Sequence, residues 1–124
     1  MQHFELNLKN YEVAGAHCLK LPYDSPCQNL HGHNWYISIQ IKSKSLAKHG
    51  MILDFKHIKD YLKSFDHQNI NSLVDFNPTA ENLAKHFGEY VRTLAKKEGC
   101  KGVYFVKCEV TEAEHNTAAW IWEK

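Results

Sequence analysis

Apolar side chains fall along this chain in two rhythms, one of two residues and one of three to four. The clearest two-residue rhythm is NWYISIQIKS, where Trp35, Ile37, Ile39 and Ile41 share one face. That alternation predicts a half-buried strand. HFELNLKNYEVAGAHCLKL alternates in part, through Phe4, Leu6 and Leu8 and then Val13, and predicts a strand with an irregularity near Gly15. The longer rhythm places Phe55, Ile58, Leu62 and Phe65 on one side of a helix, with Asp54 placed to cap its start. It returns more strongly in TAENLAKHFGEYVRTLAKKEG, where Leu83, Phe87, Val91 and Leu94 form the stripe. There Thr79 is the expected N-cap and Gly99 the stop. GVYFVKCEVTEA predicts a strand with Val103, Phe105 and Lys107 opposite Tyr104, Val106 and Cys108, and NTAAWIW predicts a last strand. PYDSPCQNLHGHN and DHQNINSLVDFNP are polar and irregular and predict loops.

The order is β-β-α-α-β-β. With the helices grouped mid-chain, this predicts an α+β fold, a four-stranded antiparallel sheet with two helices on one face. A length of 124 residues predicts one domain spanning 1–124. A sheet of this kind leaves two open edges, which invite pairing with another chain, so association is expected.

Charge removes some function classes. Lys and Arg total 15 against 14 Asp and Glu, which gives no attraction to a polyanion, and no nucleic-acid partner is expected. No apolar run approaches the roughly 18 residues of a membrane span, so no membrane partner is expected. MQHFELNLKN lacks the pattern of an export signal, which makes cytoplasmic residence the expectation. The four cysteines, Cys18, Cys27, Cys100 and Cys108, match neither a paired zinc motif nor a dense disulfide scaffold. Histidine, at nine residues, is the outlier.

CQNLHGHNW concentrates the candidate chemistry. If the segment is extended, His31 and His33 project from one face, close enough to share a cation. His17, at the end of the preceding strand, is the best third ligand. Three imidazoles suit Zn²⁺ and leave a fourth position open, as in catalytic zinc sites. Cys27 has three level readings on chemistry alone: fourth ligand, packing residue or reactive thiolate. In FDHQNIN, Asp66 beside His67 can fix an imidazole tautomer, although a solvated surface pair is the commoner outcome of such a dipeptide. EVTEAEH offers Glu109, Glu112 and Glu114, any of which, if buried, can accept two parallel N–H bonds from the edge of a pterin or guanine. NPTAEN reads first as an ordinary helix start.

Taken in order, AHCL, CQNLHGHNW, MILDF, FDHQNIN, NPTAENLA and VKCEVTEA resemble the 6-pyruvoyl-tetrahydropterin synthase / 6-carboxytetrahydropterin synthase family over essentially the whole chain. The resemblance implies the tunnelling fold, with subunit sheets joined into trimeric barrels and two trimers stacked as a homohexamer. It implies zinc on His17, His31 and His33. It implies Cys27 as the catalytic thiol, completed across a subunit interface by Asp66 and His67. Glu112 matches the pterin-anchoring glutamate, since it lies eight residues before Trp120, where the family has an aromatic. Thr79, Ala80 and Glu81 fall where the family lines the pterin pocket. The short spacing between Cys27 and His31 is similar to the queuosine-pathway members. The reaction this implies is that of a carbon–carbon lyase. It converts 7,8-dihydroneopterin triphosphate to 6-carboxy-5,6,7,8-tetrahydropterin, releasing acetaldehyde and triphosphate. The alternative is the pyruvoyl-forming reaction on the same substrate. Ala113 departs from the threonine the family often places after the anchor, and Arg92 is the only arginine.

Overall fold

The structure, a computed structural model, describes residues 2–124. Its elements are β1 (Phe4–His17), a short 3-10 turn (Pro26–Gln28), β2 (His31–Ser43), α1 (Phe55–Lys63), β3 (Gln68–Asn69), a second 3-10 turn (Ile70–Ser72), α2 (Ala80–Lys97), β4 (Val103–Glu112) and β5 (Asn116–Glu123). The expected α+β architecture is present, with one more strand than the four expected. The sheet order is β3-β1-β2-β4-β5. The long pairs are antiparallel, and β3 runs parallel to β1 through Gly15–Gln68 and Ala16–Asn69. The close approach of β3 accounts for Gly15. A Cβ there would lie 3.0 Å from the Gln68 carbonyl oxygen and 3.1 Å from the Trp35 ring.

The core lies between one sheet face and the two helices. Trp35, Ile37, Ile39 and Ile41 of β2 are buried with Val106, Cys108 and Val110 of β4. From the helices come Ile58, Leu62, Leu83, Phe87, Val91 and Ala95. Full burial of each large apolar side chain contributes roughly 1.5–3 kcal/mol. The predicted helical stripes hold except at their ends, for Phe55 is exposed and Leu94 only partly buried, with Ala95 taking the inward position. Asp54 caps α1 by accepting the Lys56 N–H, and Thr79 caps α2 by accepting the Asn82 N–H. Gly99 follows α2 with φ +104°, a left-handed position that ends the helix.

The irregularity of β1 is not at Gly15. It lies between Leu8 and Tyr11, where the register against β2 slips by one residue. Asn10 there has φ +54°, donates its backbone N–H to Ser38 Oγ, and accepts the Ser38 hydroxyl on its side chain. The slip changes which residues face inward. Leu6 and Leu8 are buried before it, Val13 and His17 after it. One extra residue has moved the buried set from even to odd numbers. His17 therefore points to the same face as His31 and His33, opposite His31 in the β1–β2 ladder.

Candidate functional site

Three strands converge on one end of the buried face. His17 closes β1, His31 and His33 open β2, and Glu112 closes β4 opposite Trp35. The structure brings a ring nitrogen from each of His17, His31 and His33 within 4.8 Å of the others. Their rings meet edge to face, with centroids 4.6–5.1 Å apart.

Hydrogen bonds set the tautomers. His17 Nδ1 lies 2.8 Å from the Pro78 carbonyl oxygen, and His31 Nδ1 lies 2.7 Å from that of Asn29. A carbonyl only accepts, so each Nδ1 carries a proton, and in the neutral ring each Nε2 presents a lone pair. His17 is 1 % exposed, and its Nε2 is a buried polar atom without a hydrogen-bond partner among the described residues. Glu112 adds to that demand. Its Oε1 lies 3.9 Å from His17 Nε2 and its Oε2 3.9 Å from His33 Nε2. A lone pair and a carboxylate facing one another require a proton or a cation between them. A proton on His17 is disfavoured, because burial lowers its pKa, although the Pro78 carbonyl and the Glu112 charge pull the other way. The donor set therefore fits a divalent cation that accepts imidazole nitrogen. Glu112 is steadied by the Trp35 indole N–H, which donates to its Oε1 at 3.3 Å. Of the three candidate glutamates it alone joins the histidine group, and Glu114 is exposed at the turn after β4.

Cys27 sits in the 3-10 turn before β2, half-buried, with its N–H bonded to Ser25 Oγ and its carbonyl accepting the Leu19 N–H at 2.8 Å. The turn is thereby tied two residues beyond His17. Asp66 and His67 lie elsewhere, on the far side of β1 from β2. Asp66 Oδ1 accepts the Ala14 N–H at 2.8 Å, and its other oxygen is 3.4 Å from His67 Nε2. The two side chains do meet, helped by a left-handed backbone at His67, φ +58°. The His67 side chain is 82 % exposed. Among the described residues, neither of the pair bonds to the histidine group or to Cys27. Thr79 serves as the α2 cap, Ala80 and Glu81 form the first turn, and the preceding carbonyl orients His17.

Two residues passed over in the sequence belong to the architecture of the site. The Asn71 side-chain amide bonds both backbone groups of Cys18, and that of Asn77 bonds both backbone groups of Lys20. The only hint in the sequence was asparagine beside a proline and within a polar loop, which marks turns in general. Among the described residues, no helix is long and apolar enough to cross a membrane.

Comparison with known proteins bears on the family and the fold. A family model described as 6-pyruvoyl tetrahydropterin synthase matches residues 8–124. A 6-carboxy-5,6,7,8-tetrahydropterin synthase of Aquifex aeolicus is 29% identical over 133 aligned residues, covering 86% of this chain and 82% of that protein. A putative enzyme of the same name from Pyrococcus abyssi is 39% identical over 61 residues, covering 49% of this chain and 38% of the relative's length. A dihydroneopterin monophosphate aldolase of Pyrococcus furiosus is 32% identical over 81 residues, 62% of this chain and 66% of that one. Among solved structures, the 6-pyruvoyl tetrahydropterin synthase of Caenorhabditis elegans superposes with a TM-score of 0.71 at 22% identity, over 97% of this chain and 96% of that one. That likeness shows the shared fold.

Proposed function

Because the chain belongs to the 6-pyruvoyl tetrahydropterin synthase family, we propose that it is a zinc-dependent carbon–carbon lyase acting on a pterin triphosphate. The substrate is 7,8-dihydroneopterin triphosphate. The products are 6-carboxy-5,6,7,8-tetrahydropterin, acetaldehyde and triphosphate, with water consumed, as a step toward queuosine. The observation that carries the reading is the buried His17 Nε2, unpartnered and facing Glu112 beside His31 and His33. The similarity to the Aquifex aeolicus enzyme, over most of both chains, favours the carboxy product. Cys27, where an aldolase-type variant of the family carries glutamate, favours it over an aldolase.

His17, His31 and His33 would hold the zinc. When bound, the metal supplies Lewis acidity that eases loss of protons from the substrate's hydroxylated side chain. The protein's own residues do the rest. Cys27 as thiolate takes a proton from that side chain, and His67 exchanges one on the other face. Asp66 holds His67 in one tautomer through the contact already described. Glu112, steadied by Trp35, accepts the N–H and amino protons of the pterin edge and fixes the ring. Thr79, Ala80 and Glu81 line the ring pocket. The exposure of the His67 side chain beside the edge strand β3, with no bond among the described residues from the pair to the histidine group or to Cys27, suits donation to the site of a second chain. The assembly proposed with it is a homohexamer built from two trimers. Arg92 is engaged elsewhere, with its guanidinium 3.8 Å over the Trp122 ring, so lysines would neutralise the triphosphate.

Incubating the zinc-loaded protein with 7,8-dihydroneopterin triphosphate and identifying the products tests the reading. Acetaldehyde with the 6-carboxy product supports it. Triphosphate release with a 6-pyruvoyl product assigns the chain to the alternative reaction on the same substrate, and no turnover refutes both.

A further inference from the structure

After His17, Cys18, Leu19 and Lys20 lie beyond the end of the sheet ladder and still make hydrogen bonds of the kind a ladder makes. Asn71 Oδ1 accepts the Cys18 N–H at 2.9 Å, and its Nδ2 donates to the Cys18 carbonyl at 3.0 Å. Asn77 repeats this on Lys20, at 2.9 and 3.0 Å. Residues 18 and 20 present their backbone groups to one side and residue 19 to the other. The Leu19 N–H accordingly faces away from both asparagines and donates to the Cys27 carbonyl at 2.8 Å. The linker before α2 thus grips residues 17, 18 and 20, through the Pro78 carbonyl and the two amides. The residue it leaves free, 19, is the one that holds Cys27.

We infer that Asn71 and Asn77 are positioning residues for the Cys27 thiol, standing in for a missing strand and fixing the strip against which the thiol turn docks. The inference rests on the catalytic role proposed for Cys27. The chemistry explains the residue type. A short amide carries one acceptor and one donor at the spacing of a single residue's N–H and C=O. Aspartate keeps the acceptor but sets a carboxylate oxygen against a carbonyl, and glutamine is one methylene too long. Asn77 is itself braced, since its backbone carbonyl accepts the Asn82 side-chain N–H at 2.9 Å. One continuous set of hydrogen bonds therefore joins the linker, the histidine ligand and the thiol turn.

The test compares Asn71→Asp and Asn77→Asp with the parent, all zinc-loaded, in a Cys18→Ser background that leaves Cys27 the one thiol not deeply buried. Each variant is expected to retain the parent's zinc content. A small displacement of a reacting group costs about 10- to 100-fold in rate, so kcat should fall by that factor while KM moves much less. Alkylation of Cys27 by iodoacetamide should quicken about threefold or more as the turn loosens. Ile58→Val in the α1 core serves as a comparator that lowers the melting temperature without touching the strip. The inference is overturned if kcat and alkylation stay at parental values, or if Ile58→Val lowers kcat as much at the same loss of stability. Should one aspartate variant fail to fold, the other decides. A parent without turnover would refute the proposed function, and the alkylation rates alone would then decide the positioning.

Discussion

Replacing His17 by leucine separates two things that the buried imidazole does, and the structure gives a magnitude for each. In the metal-free protein His17 Nε2 is buried without a partner, at a cost of about 1–3 kcal/mol. Leucine removes that cost but leaves the buried Pro78 carbonyl without its donor, a new cost of about 1–3 kcal/mol. The metal-free variant should therefore lie within about 2 kcal/mol of the metal-free parent. With zinc the two should part. A ligand at a hundred times its dissociation constant adds about 2.7 kcal/mol to the folded state. For 124 residues, an unfolding entropy of about 0.26 kcal/mol/K makes that roughly 10 °C in melting temperature. The variant, left with His31 and His33, should show little of this rise. The assay is calorimetric melting of both proteins after chelation and after zinc titration. Equal stabilisation of both by zinc, or none of the parent at saturating metal, would refute the view that this nitrogen is made for a cation.

Other expectations follow from the same contacts. Cys27→Ala should keep zinc and fold while product formation falls at least about 100-fold, and full turnover in that variant would remove the thiol from the mechanism. Gly88→Ala sets two effects against each other. Alanine gains up to about 1 kcal/mol of helix propensity, but its Cβ would lie 2.3 Å from Trp120 Cε3, and such overpacking costs about 1–3 kcal/mol. Urea denaturation should show a net loss of stability, and a net gain would mean that α2 does not pack this tightly on β5. The last expectation concerns His86, whose Nε2 is 2.6 Å from the Tyr61 hydroxyl and whose pKa burial lowers, against the pull of Glu89 and Asp75. A depressed folded-state pKa means that the unfolded chain binds the proton more readily. Stability is then complete above about 6.5 and is lost as pH falls through the lowered folded value. His86→Gln, which still offers Tyr61 an acceptor, should lose less stability than the parent between pH 7 and pH 5.

The elements with an unbroken period were the legible ones. Trp35 to Ile41 and Leu83 to Val91 declared β2 and α2, because a half-buried surface leaves its spacing in the chain. The cap residues Asp54 and Thr79 were legible for the same local reason. β3 was not, since Gln68 and Asn69 are polar and exposed and pair only because the chain returns past Gly15. The alternation points to Gly15 for the β1 irregularity, whereas Asn10 carries it, and an asparagine in a polar run gives no warning of a left-handed backbone. Of the site, the H-x-H pair and His17 could be gathered from strand logic. The approach of Glu112 to His17 and His33 could not, because it depends on the pairing of Trp35 with Glu112 across β2 and β4. The two asparagine clamps were hidden for a simpler reason: a side chain that imitates backbone leaves no period.

The slip in β1 constrains how this chain can change in length. Between Leu8 and His17 an odd insertion or deletion would evert the first imidazole to the opposite surface, while an even one would restore it. Lineages that keep the triad should therefore gain or lose residues in this stretch by twos, or keep a compensating kink elsewhere in the same strand. Loss of Asn10 alone would leave every ligand present in the gene and one of them facing the wrong way.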